Sequence, residues 1–224
     1  MYEFPDRYQS GTTAVAQRGA VLGKVLGLLG VAFVCTAGGA FIGRLLGPGA
    51  LIISIVGTIG TLIALLFAKE KAPWNLWLLY GFATFEGMVL GLILESYLAR
   101  GLGGAVLNAA ATTAVVTFVA GGYGYTTKRN LSGLGGILFV GLIAVIVASL
   151  IGIFVQLPLL HLGIAVVSAL LFTGFLVFDL NRVANAEGAT EGDVILLAVS
   201  VYLDIINLFL ALLRIFGIFG SSDD

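Results

Sequence analysis

Two carboxylates sit where a chain of this composition has few. Asp204 lies near the middle of VSVYLDIINLFLALLRIFG, residues 199–217, and Asp179 near the end of LLFTGFLVFDLNRV. A third acid, Glu86, falls inside TFEGMVLG. An ionisable group deep in a membrane helix costs about 2.5–3.5 kcal/mol, so such groups usually face a bundle interior and act. Two carboxylates meeting in low dielectric cannot easily both ionise; they share a proton and titrate as a unit. That makes a pH sensor. Carboxylate oxygens are also the hard ligands Ca²⁺ prefers, at six to eight per ion. The simpler alternative is that Asp179 is neutralised by Arg182 one turn on, and Asp204 by Ser200 and Asn207.

The solvent in question is lipid. Of 224 residues 59% are hydrophobic and 10% charged, with a mean hydropathy of +1.11. A soluble domain is nearer ~45–50% apolar and ~25% charged. The expected class is therefore an all-α integral membrane protein. Continuous apolar runs, instead of ~10-residue alternating segments, argue against a β-barrel. The net charge of −1 offers no basic surface for nucleic acid. The single Cys35 can form no intrachain disulfide. The first residues, MYEFPDRYQSGTTAVAQ, carry acids as well as Arg7 and make a poor signal peptide.

Charges punctuate the runs. VLGLLGVAFVCTAGGAFIG, between Lys24 and Arg44, is long enough for one crossing, which needs ~20 residues. The turn signal GPG (47–49) follows, then a second span to Lys69. Trp74, Trp77 and Tyr80 open a third as an interfacial belt, running to about Leu94. The fourth covers about 104–125, the fifth 134–155, the sixth 162–182 and the seventh Glu191 to Gly217. The expected division is a cytoplasmic tail over 1–20, a seven-helix domain over 21–217 and a short tail over 218–224. Arg7, Arg18, Lys24, Lys69, Lys71, Lys128, Arg129 and Arg182 share one side, against Arg44, Arg100 and Arg214 on the other. The positive-inside tendency puts the N-terminus in the cytoplasm and the C-terminus outside.

On the seventh span Asp193, Ser200, Asp204, Asn207 and Ala211 fall within about 60° of one another, a polar stripe that should point inward. Ser168, Phe172, Asp179 and Arg182 share a face of the sixth. Thr190-Glu191-Gly192-Asp193 resembles a capping box with Asp in place of Glu. The depths match only roughly: Asp204 is ~20 Å and Asp179 ~10 Å from the shared end, so tilt or a dip of the connection must absorb the rest. Glu86 can line the same cavity or be a protonated acid among polar neighbours. Asn108 and Thr112 read as interhelical hydrogen-bonders, His161 as a turn histidine beside Pro158. The pairs Gly23/Gly27, Gly39/Gly43 and Gly87/Gly91 have small-xxx-small spacing, which suits packing within one bundle or a dimer seam.

FDLNRV (178–183) and, after an acidic loop, LAVSVYLDIINLFLALLRIFG (197–217) resemble the Bax inhibitor-1 family, the transmembrane Bax inhibitor motif proteins, in a bacterial-type member. TFEGMVLG and the seven spans extend the resemblance more weakly over the whole chain. The resemblance implies a bundle with the seventh helix surrounded by the other six, and a pH-dependent calcium leak whose paired aspartates are Asp179 and Asp204. Ca²⁺ would then be a transient guest and a transported ion, with no other cofactor. Lys69, Lys71 and Arg182 are candidates for the balancing positive charge, and Glu86, Ser200 and Asn207 for support. Lipid, protons and unspecified membrane proteins are the expected partners, and the plasma (inner) membrane the location. Three other functions compete: a proton-coupled cation exchanger, an intramembrane aspartyl protease, and a regulator of another membrane protein. The protease needs a GxGD context that YLD (202–204) does not supply, and no Ser/His pair suggests a rhomboid-type site.

Overall fold

A computed structural model describes the backbone of residues 7–129 and 131–220, with side-chain surroundings from Arg18 onward. Every regular element among the described residues is helical. They are α1 (Arg7–Leu46), a 3₁₀ turn (Gly47–Gly49), α2 (Ala50–Ala68), α3 (Trp74–Leu98), α4 (Gly103–Thr126), α5 (Ser132–Phe154), α6 (Pro158–Ala184) and α7 (Glu191–Gly220). Helix α1 begins inside the segment expected to be a tail; residues 1–6 and 221–224 of the two predicted tails lie outside the described part.

Among the described residues six helical segments are long and apolar enough to cross a membrane. The first, Arg18–Ala68, is a continuous 51 residues. It would reach about 77 Å if straight, against a hydrocarbon core of ~30 Å. It is not straight. Thr36 abuts Gly87 and Ala40 abuts Gly91, so α1 runs parallel to α3. Gly57 abuts Phe85 and Gly81 faces Thr61, so α2 runs antiparallel to α3. The chain therefore reverses at Gly47–Gly49. Gly47 has φ +67°, a left-handed backbone that glycine adopts without a Cβ clash.

Close approach holds α1 to α3. A Cβ on Gly39, Gly43, Gly87 or Gly91 would run into the backbone of Thr84, Met88, Thr36 or Ala40. Without a hydrophobic drive between helices in lipid, such contact supplies dispersion energy. Two of the three glycine pairs thus pack within one bundle. Gly23 and Gly27 meet nothing. Helix α2 packs mainly on α3, and α5 mainly on α6. Helix α7 lies against α6, α4, α1 and α3 and is the most deeply buried of all; α5 is the least. The core gathers around Tyr202, which is fully buried between Phe33 and Phe82.

The end of the bundle where α1, α3 and α7 start is closed by side-chain ties. Lys69 Nζ lies 2.8 Å from Asp193 Oδ1, and Arg18 Nε 2.8 Å from Glu187 Oε1. The Thr190 hydroxyl donates to Glu70 Oε1 at 2.8 Å. The expected capping box forms: the Asp193 amide donates to Thr190 Oγ1 at 3.1 Å, and the Thr190 amide to Asp193 Oδ2 at 3.3 Å.

Candidate functional site

Asp179 and Asp204 are each only 5% exposed, and their carboxyl groups come within hydrogen-bonding reach of each other. Two local features bring them together. Helix α6 ends at Ala184, five residues beyond Asp179, while α7 begins thirteen residues before Asp204. The connection absorbs that difference by lying along the first turns of α7. Asn185, Ala186 and Ala189 line a small pocket with Asp193, Leu196 and Leu197. The predicted dip of the connection is thus observed, with Gly188 in the left-handed region at φ +75°.

Arg182 Nη1 donates to Asp179 Oδ1 at 2.8 Å. The cation over the pair is therefore Arg182; of the two lysine candidates, Lys71 is exposed and does not line the cavity, and Lys69 is spent on Asp193, whose hydrogen bond pushes the Lys69 ammonium above its ordinary value. Asp204 has no such tie. Asn207 turns its amide to the Leu203 carbonyl at 2.8 Å, and Asp204 Oδ2 is buried without a hydrogen-bond partner among the described residues. The neutralisation by Ser200 and Asn207 weighed above does not occur. The group placed to meet Asp204 is the carboxyl of Asp179.

The pair sits at one end of a cavity of about 770 Å³ between α5, α6 and α7. Ser168, Phe172, Ser200, Asn207 and Ala211 line it, so most of the predicted polar stripe faces a common space. Asp193 leaves that stripe for Lys69. The far end carries His161 and Arg214. His161 is on the first turn of α6, not in a loop, because the break before the helix spans only Val155–Leu157. Its Nδ1 faces the Leu157 carbonyl at 2.9 Å. Pro158 at the first helical position, where no backbone donor is needed, explains the earlier start.

Glu86 is half-buried, within electrostatic reach of the Tyr202 hydroxyl, and does not line this cavity. Asn108 is exposed and makes no interhelical hydrogen bond among the described residues; Thr113, one position past Thr112, bonds back to the Ala109 carbonyl at 2.7 Å. Sequence reasoning placed Tyr80 in an interfacial belt, gave Tyr202 no role and so missed it. Its hydroxyl lies 2.8 Å from Thr36 Oγ1, and Thr36 donates its own proton to the Ala32 carbonyl at 2.9 Å. Tyr202 is therefore the donor, fastening α7 to α1. Its place two residues before Asp204, on the face opposite the polar stripe, was the available signal.

These features define an integral, multi-pass helical membrane protein with a buried acidic pair at one end of an open cavity between helices. The sequence profile of the family described as "Inhibitor of apoptosis-promoting Bax1" matches residues 18–221. The chain belongs to this family, the Bax inhibitor-1 family. Among its relatives is the Modulator of FtsH protease YccA of Escherichia coli strain K12, 36% identical over 176 residues, or 79% of this chain and 78% of that protein. A protein of Escherichia coli O6:H1, likewise 36% identical over 176 residues, is named Inner membrane protein YccA. An uncharacterized membrane protein of Vibrio cholerae is 37% identical over 180 residues, 77% of this chain and 78% of its own. With the apolar helices, these relatives place the protein in the inner membrane.

Proposed function

We propose that the protein is a pH-sensitive calcium leak channel, with Asp179 and Asp204 as its gate and the cavity between α5, α6 and α7 as part of the path. The observation that supports this most is the meeting of two buried carboxyls, only one of which has a cation, at the inner end of a 770 Å³ cavity. In this reading the chain crosses seven times, because α1 and α2 run in opposite senses, and α7 is the inner helix. The N-terminus is cytoplasmic. The pair then lies toward the cytoplasmic side, and His161 and Arg214 toward the outer side.

The gate follows from charge. With one proton between them, Asp204 donates to Asp179, whose remaining charge Arg182 offsets, and α6 stays on α7. When that proton leaves, Asp204 carries a charge with no partner, and like charges in low dielectric repel. The helices part at the pair, and the freed oxygens become ligands for a passing Ca²⁺. Opening increases with pH.

Calcium flux in proteoliposomes across a pH series tests this. Asp179→Asn and Asp204→Asn should each flatten the pH dependence, and the double variant should add little, because the pair acts as one unit. Single variants that kept the wild-type midpoint would overturn the gate. Repeating the assay with and without an imposed pH gradient separates leak from exchange: an exchanger is driven by the gradient, a leak is not.

A second reading, modulation of a protease, is supported by the similarity to the Escherichia coli modulator of FtsH protease over most of both chains. Co-purification with the host protease, and a changed rate of substrate turnover on deletion, would support it. Loss of that effect in Asp204→Asn would join the two readings.

A further inference from the structure

Three arginines stand toward the outer side, and two of them are satisfied. Arg44 Nε lies 2.7 Å from Glu95 Oε2. Arg100 donates to the Ser96 carbonyl at 2.9 Å and lies over the Tyr97 ring at 4.7 Å. Arg214 is exposed, lines the cavity, and has no carboxylate, carbonyl or ring partner among the described residues. It is ten residues beyond Asp204 on α7, about 15 Å along the helix. The other charged or titratable groups lining the cavity are Asp179, Asp204 and His161, with Arg182 at the pair. A positive charge without a counter-charge among the described residues, in the wall of a route that ends on two acids, repels a cation that passes it.

We infer that Arg214 is a specificity-determining residue: its charge sets a barrier in the outer half of the cavity that discriminates against cations by valence. The flux consequence rests on the channel reading above; the field itself does not. A unit charge about 7 Å from a passing ion in water-like dielectric changes the Boltzmann factor of a monovalent ion roughly threefold. For a divalent ion the factor is the square, roughly ninefold. Salt weakens it, since the Debye length is ~10 Å at 0.1 M. The leak of Ca²⁺ is thus held low by the wall of its own path, independently of the gate.

The field can be read without any flux. In a Cys35→Ala, Ser149→Cys background, the new thiol lies on the α5 wall of the cavity. Its rates with a cationic and an anionic methanethiosulfonate reagent are compared at low salt and fixed pH. Arg214→Gln should raise the cationic-to-anionic ratio roughly ninefold, since the two reagents shift in opposite directions. Arg214→Lys, which keeps the charge, and Arg100→Gln, which removes one outside the cavity, should leave the ratio alone. An unchanged ratio in Arg214→Gln overturns the inference. Should that variant fail to fold, salt decides with Arg214 intact: raising it should speed the cationic reagent and slow the anionic one, and a flat response is equally fatal. In proteoliposomes, Arg214→Gln should increase Ca²⁺ flux roughly ninefold and K⁺ flux roughly threefold. Equal increases would remove the valence argument. A wild type that passes no Ca²⁺ would refute the channel reading, while the reagent ratio would still decide the field.

Discussion

The two sides of α7 are built differently. Toward α1 and α3 the packing is closed: glycines bring α1 and α3 into backbone contact, and Tyr202 fills the space against them. Toward α5 the packing is open, because α5 rests on α6 and leaves a cavity between itself and α7. One helix thus presents a fixed face and a hollow face, and its acid is on the hollow one. A gate needs one part that moves and another against which it moves. In the gate we propose, the glycine seam supplies the second and the α6–α7 contact the first.

The largest effect should come from spoiling the seam. Gly87→Val places a branched side chain against the Thr36 backbone, which cannot yield. Overpacking of this kind costs about 1–3 kcal/mol, and thermal unfolding in detergent should show a loss at the upper end of that range. A variant as stable as the wild type would mean that the seam is looser than its geometry. Next comes the tie from α7 to α1. Tyr202→Phe deletes one buried hydrogen bond but leaves Thr36 bonded to Ala32, so it should cost about 0.5–1.5 kcal/mol. It should leave the pH midpoint of flux in place.

On the hollow side the same kind of change should matter less to stability. Ile146, on the cavity wall, is 46% exposed. Ile146→Ala creates little new void and should cost under about 1 kcal/mol, below the 2–5 kcal/mol typical of a closed core. It should alter flux more than stability; the reverse result would dissolve the distinction between the two faces. The smallest expected change concerns pH. Lys69 is held above its ordinary value by Asp193. A raised group contributes its stability below its unfolded pKa, and loses it only as pH climbs through the higher folded value. Lys69 therefore stays charged throughout the neutral range. Lys69→Gln should change the extent of opening without moving the pH midpoint.

Much of this was legible in the sequence because membrane spans obey a coarse rule. A run of twenty apolar residues bounded by charge is a helix, and the boundaries of α3 to α7 fell within a few residues of expectation. Asp179 and Asp204 were legible for the same reason: an acid stands out against an apolar background. Position along a helix was readable, but orientation between helices was less so. The stripe on α7 splits, Asp193 going to Lys69 and Asp204 to Asp179, since its ends face different neighbours. Glu86 was legible as an interior acid, but the sequence left open whether it lines the cavity or lies apart from it, and it lies apart. Tyr202 was hidden because an aromatic in an apolar run carries no contrast; only its hydroxyl's partner on α1 reveals it. His161 was misplaced by a proline that starts a helix as readily as it ends one.

The hydrogen bonds of Tyr202 have a direction, and it ends. The tyrosine proton points to Thr36, the threonine proton to the carbonyl of Ala32, and a backbone carbonyl has no proton to pass on. Among the described residues, the hydroxyls on that side of α7 form no relay to Asp179 and Asp204. In the channel we propose, the cavity is the route left to serve the pair, and the hydrogen ion that shuts the gate would travel the same corridor as the metal ion that the gate admits. In that reading the two are rivals for one road before they are rivals for one pair of oxygens.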